Sequence, residues 1–124
     1  MDFVAFVVLL ALVEYVAIFI LTGRARGQYG VKAPATTGHP VFERWMRVQQ
    51  NTVEQLVLFL PAIFLFASYV SARWAGWIGL VFVVGRALYA RSYVADPESR
   101  SVGFALTLVP NLVLLVGALL AVIF

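Results

Sequence analysis

The chain has 124 residues, 63% of them hydrophobic and only 12% charged, with a mean hydropathy of +0.95. Soluble domains carry about 45–50% apolar and about 25% charged residues, so a soluble enzyme, a disordered tail and a nucleic-acid-binding domain are poor readings, and a membrane protein is the first one. The formal net charge of +3 is small and scattered along the chain, and the absence of cysteine removes disulfides, thiolate metal sites and a cysteine nucleophile.

A membrane-spanning helix uses about 20 residues, so four need roughly 80 and leave about 44 for loops and ends. The first apolar segment runs over residues 3–22, interrupted by Glu14 alone among acidic and basic residues, and Gly23-Arg24 ends it. Its flank, Met1-Asp2-Phe3, is acidic where a secretory leader is basic, and no small-residue cleavage site follows, so the segment is expected to be retained. Residues 24–40, RARGQYGVKAPATTGHP, have the Gly, Pro and Thr content of a loop. They include the single histidine, His39, and with no carboxylates clustered near it no metal site is expected.

The second segment begins as VFERWMRVQQNTVEQ, free of Gly and Pro, and turns strongly apolar from Leu56 to Val70. This pattern predicts one long helix whose polar first half leaves the hydrocarbon, with a kink at Pro61. A short turn, Ser71-Ala72-Arg73, leads to a third segment over 74–93, a polar loop with Asp96-Pro97-Glu98-Ser99 follows, and a fourth segment fills 102–124. The predicted architecture is a single all-α transmembrane domain over residues 1–124, a four-helix bundle running up-down-up-down. Its spans are near 3–22, 47–70, 74–93 and 102–124, and its larger loops near 23–46 and 94–101. Arg24, Arg26, Lys32, Arg44, Arg47, Arg86, Arg91 and Arg100 fall on one side and Arg73 on the other. The positive-inside rule then puts both larger loops in the cytoplasm and both termini away from it.

Two constellations stand out. Arg47, Asn51 and Glu54 are spaced i, i+4, i+7 and share one helical face, bordered by Gln50. A solvated helix end with intrahelical pairs would look the same, but Glu54 directly precedes a long apolar run, where ionisable groups usually face a cavity or a partner. Arg86, Tyr89 and Tyr93 repeat the spacing i, i+3, i+7 on the third helix, and Arg100 follows seven residues later. An aromatic belt with snorkelling arginines would account for the tyrosines alone. Together the two faces suggest one polar crevice at the cytoplasmic side. Arginine forks, an amide, a carboxylate and phenols suit a small zwitterion with several carboxylates. No side chain here is a good nucleophile, so a nucleophile would arrive with the ligand, and a thiol fits because a guanidinium favours thiolate.

The stretch TTGHPVFERWMRVQQNTVEQ resembles the signature of the MAPEG family, membrane-associated proteins in eicosanoid and glutathione metabolism. It is carried by Thr36, Thr37, Gly38, Pro40, Phe42, Glu43, Arg44, Arg47, Asn51 and Glu54, with Arg86, Tyr89, Tyr93 and Arg100 as a second match. The resemblance implies a microsomal glutathione transferase or leukotriene C4 synthase-like enzyme, a homotrimer with glutathione as cosubstrate between neighbouring subunits and a lipophilic small-molecule substrate drawn from membrane lipid. It sets the protein in a bacterial inner membrane or the endoplasmic reticulum. Carried over by position, Arg47, Asn51, Glu54 and Tyr93 bind glutathione, Arg26, Gln49, Arg86 and Tyr89 contribute, and Arg100 activates the thiol. Gln55 and Arg26-Gly27 depart from the leukotriene synthase branch, which has Tyr and a second Arg there. A general glutathione transferase or peroxidase is therefore the implication.

Glu14 opens two other readings. Small multidrug transporters are similar in length, span number and a glutamate in the first helix, and would use Glu14 for protons and lipophilic cations. Alternatively Glu14 makes an interhelical contact, with Asn111 as its partner, and an amide could replace it. A non-catalytic lipid-binding protein of the same family is a third class, and the presence of Arg100 weighs against it.

Overall fold

The computed structural model describes residues 1–124. Four helices, α1 (Asp2–Gln28), α2 (Pro40–Tyr69), α3 (Ala72–Ala95) and α4 (Ser101–Ile123), account for most of the chain, and a 3-10 turn at Pro97–Ser99 precedes α4. Each helix is long and apolar enough to cross a membrane, and the protein is a multi-pass, four-helix membrane bundle. The helices run past the apolar stretches at their polar ends, α1 continuing through the basic residues to Gln28 and α2 starting already at Pro40. α2 and α4 continue unbroken through Pro61 and Pro110. Neighbours are antiparallel. The Thr22 hydroxyl at the end of α1 donates to the carbonyl of Trp45 at the start of α2, and Arg44 in the same turn donates to Val94 at the end of α3.

α2 and α3 form the centre, and α1 and α4 each pack against both. The core joins all four helices through Val4, Val7 and Ala11, Phe59, Ile63 and Phe66, Phe82, and Leu114 and Ala118. Phe59 and Phe82 stack at 4.0 Å in its middle. Most other large apolar side chains face outward, Val16 at 52% exposure being typical. In water that surface would drive aggregation; against lipid tails it is the stable arrangement.

Two features place the polar end. The loop between α1 and α2 is pinned by its own residues. His39 caps α2 by accepting the Val41 N–H at Nδ1 and stacks on Tyr29, while Pro40 occupies the first helical position. Gly38, at φ 147°, directs its N–H to the Glu43 carboxylate, a backbone conformation that favours glycine. The second feature is the close approach of α3 and α4. A Cβ on Gly85 would lie 2.6 Å from the Leu106 carbonyl carbon, and one on Gly103 would collide with the Tyr89 backbone. Small residues let helix backbones meet in membranes, and here they bring the start of α4 against Tyr89.

Candidate functional site

At the polar end of the bundle, Arg47 and Asn51 of α2, Tyr89 and Tyr93 of α3, Arg100 and Phe104 line one cavity of about 340 Å³. The two sequence constellations thus meet. Arg47 and Asn51 lie one turn apart on α2, and Tyr89 and Tyr93 one turn apart on α3. Arg100 ends the 3-10 turn, where its Nη1 donates to the Pro97 carbonyl at 2.7 Å. That bond holds the guanidinium at the rim and leaves its other N–H groups free. Tyr89 stacks on Tyr93 at 5.6 Å and tilts against Phe104 at 6.4 Å.

Arg86 sits behind this wall, not in it. It is 0% exposed; Nη1 donates to Asn51 Oδ1 at 2.7 Å and Nη2 to Thr52 Oγ1 at 2.6 Å. Its guanidinium carbon lies 4.5 Å from the centre of the Tyr89 ring. Arginine is purely a donor, so the Asn51 carbonyl oxygen must face Arg86, and the Asn51 NH2 is left for the cavity. Thr52 is held in turn by its own bond to the Val48 carbonyl. The cavity therefore presents cations and N–H donors with no acidic side chain on its lining, and it suits an anionic ligand.

The other residues singled out lie elsewhere. Arg26 donates to the carbonyls of Ala35 and Val31 and lies over the Phe42 ring at 4.7 Å, so within one chain it fastens the first loop. Gln49 is about 200° around α2 from Arg47 and cannot share its face. Glu54 is on the right side of α2 but exposed, beside outward-facing Val53 and Val57, and does not line the cavity. The Glu14–Asn111 contact is corrected. Asn111 donates instead to Gln55, at 3.0 Å to its side-chain oxygen and 3.3 Å to its backbone carbonyl. Sequence reasoning missed Phe104 and Thr52. Phe104 is one turn past Arg100, a spacing that could have found it; Thr52 carries no signal beyond adjacency to Asn51.

A bundle of four helices, each long and apolar enough to cross a membrane, defines the class of multi-pass integral membrane proteins. The profile of the MAPEG family matches residues 4–120, and the chain belongs to that family. It is 48% identical over 119 residues to an uncharacterized protein of Synechocystis sp., covering 96% of this chain and 87% of that one. It is 41% identical over 98 residues to human microsomal glutathione S-transferase 2, covering 78% of this chain and 67% of that one. Against guinea-pig leukotriene C4 synthase (Cavia porcellus) it is 36% identical over 77 residues, 62% of this chain and about half of the relative, 51%.

Proposed function

We propose that this protein is a membrane-bound glutathione transferase or peroxidase that acts on lipophilic electrophiles or lipid hydroperoxides. The observation that carries the reading is the convergence of Arg47, Asn51, Tyr93 and Arg100 on one cavity without an acidic neighbour, in a chain similar to a microsomal glutathione S-transferase. The Arg47 guanidinium and the Asn51 amide take glutathione carboxylates, Tyr89 and Tyr93 wall the peptide, and Arg86 works from beneath. Arg100 lies beside the thiol and favours its ionised form. The thiolate then attacks an electrophilic carbon reached from the bilayer; the C–S bond forms as the bond to the leaving group breaks, and the leaving group takes the electron pair.

The cavity is at the small end of the roughly 300–1,000 Å³ usual for ligand sites and is only half enclosed by its own chain. A homotrimer supplies the missing wall. In that assembly Glu54 holds the glutathione ammonium at the subunit boundary, and Arg26 and Gln49, which do not line their own chain's cavity, serve a neighbour's. The polar end faces the cytoplasm of a bacterium or the cytosolic side of the endoplasmic reticulum, with the termini opposite. Arg86, in the same layer of the bundle as Glu14, sets a fixed cation where a transporter would seat a lipophilic one, which disfavours the transporter reading. The test is calorimetric titration of glutathione into detergent-solubilised protein. Binding tighter than millimolar with proton release, followed by conjugation of a lipophilic electrophile, is expected; no binding overturns the reading.

A further inference from the structure

Arg86 is a cation with no exposed surface in the middle of a membrane bundle. Its two hydrogen-bond acceptors, Asn51 and Thr52, are neutral, and its buried Nε has no partner. A guanidinium removed from water and left with neutral neighbours is expensive, and such groups in membranes pair with an opposite charge. The layers of the bundle show where that charge lies. Ile18 of α1 packs with Val48 of α2 and with Tyr89 and Ala90 of α3. One layer deeper, Ala11 belongs to the core containing Leu56 and Phe82. Between these layers fall Glu14 on α1, Thr52 on α2 and Arg86 on α3, each one helical turn from its bracketing residues. Glu14 is the one acidic residue in this layer, half-buried on the face of α1 that carries Ile18 and Ala11, and no direct ion pair joins it to Arg86.

We infer that Glu14 is the counter-group of Arg86 and, through it, a positioning residue for the ligand cavity. α1 contributes no side chain to the lining. Through this pair it nevertheless holds the guanidinium that aims the Asn51 amide and supports the Tyr89 ring. Glu14 does not touch the ligand. The inference rests on the cavity being the glutathione site.

Glutathione affinity is measured for Glu14→Leu, Glu14→Gln, Arg86→Gln and the Glu14→Leu/Arg86→Gln double variant, with thermal unfolding of each in detergent. Glu14→Leu is expected to weaken binding about five- to twenty-fold, the size of one lost polar contact. Glu14→Gln, which keeps an acceptor without the charge, is expected to restore part of that loss. In the Arg86→Gln background Glu14→Leu is expected to have no further effect on affinity, because interacting residues are not additive. A general loss of packing would instead lower stability in both backgrounds and leave the affinity penalties additive. If Glu14→Leu does not fold, Glu14→Gln carries the same cycle with a smaller effect. Wild-type affinity in the Glu14 variants, or additive penalties, overturns the inference while leaving the glutathione reading intact. Absence of binding in the wild type overturns both.

Discussion

Arg100 lines the cavity and Arg86 lies behind its wall, and their surroundings give them different work. Arg100 is exposed, tethered by one bond to Pro97, and able to turn its remaining donors toward a ligand. Arg86 is enclosed and already committed to Asn51 and Thr52. On the proposed mechanism Arg100→Leu is therefore expected to lower turnover far more than glutathione affinity, because there its charge would act on the thiolate. Each pKa unit given back to the thiol corresponds to about 1.4 kcal/mol, or a ten-fold loss of thiolate below that pKa. Steady-state kinetics with separate kcat and KM check this; unchanged turnover would pass the role of thiol activator to Tyr93. In the proposed function Arg47 and Asn51 serve binding instead. Alanine at either is expected to cost about 1–3 kcal/mol of glutathione affinity, the range for a charged or buried polar contact. Calorimetry of the two variants checks it, and wild-type affinity in both would return that face of α2 to an ordinary solvated helix end.

At the scale of elements, the cavity exists because α3 and α4 meet backbone to backbone at Gly85 and Gly103. Gly103→Val is expected to push α4 away from Tyr89 and carry Arg100 and Phe104 with it. Overpacking costs about 1–3 kcal/mol where neighbours can yield, and here the obstacle is backbone, so a lower unfolding temperature and lost glutathione binding are expected together. Binding that survives with full stability would show that the close approach is not what builds the site. The four membrane helices were legible because lipid demands long apolar runs, and the Arg47–Asn51 face because helical spacing reports which residues are neighbours. Depth was not legible. Arg86, Tyr89 and Tyr93 share one helical face by spacing, yet Tyr93 lines the cavity while Arg86 is sealed behind it, a difference set by α1 and α2. Phe104 was hidden among apolar residues that look alike whether they meet lipid, a neighbour or a ligand. The Gln55–Asn111 pair spans 56 residues of sequence, and no local pattern could announce it.

At the scale of the whole molecule, the proposed assembly makes a prediction that a single chain cannot satisfy. Gln49 and Asn51 are two residues apart, and helical geometry turns them about 200° from each other. If both touch glutathione, Gln49 must reach the cavity of a neighbouring subunit. Gln49→Glu sets a carboxylate against a ligand rich in carboxylates and is expected to remove most activity by itself; Arg100→Leu removes it by another route. When the two inactive chains are co-expressed in equal amount, a head-to-tail ring combines them at random. A site is then intact wherever an Arg100-bearing subunit meets a Gln49-bearing neighbour, which is about one site in four for a closed cyclic oligomer. Activity near one quarter of wild type is expected in the mixed preparation, and none when the separately purified oligomers are mixed without exchanging subunits. A site built within one chain gives a different result, because each chain then carries a defect in its own cavity. Persistent inactivity of the co-expressed protein, with mixed assemblies confirmed by two affinity tags, would return the site to a single subunit, and full activity of Gln49→Glu by itself would place Gln49 outside the glutathione site.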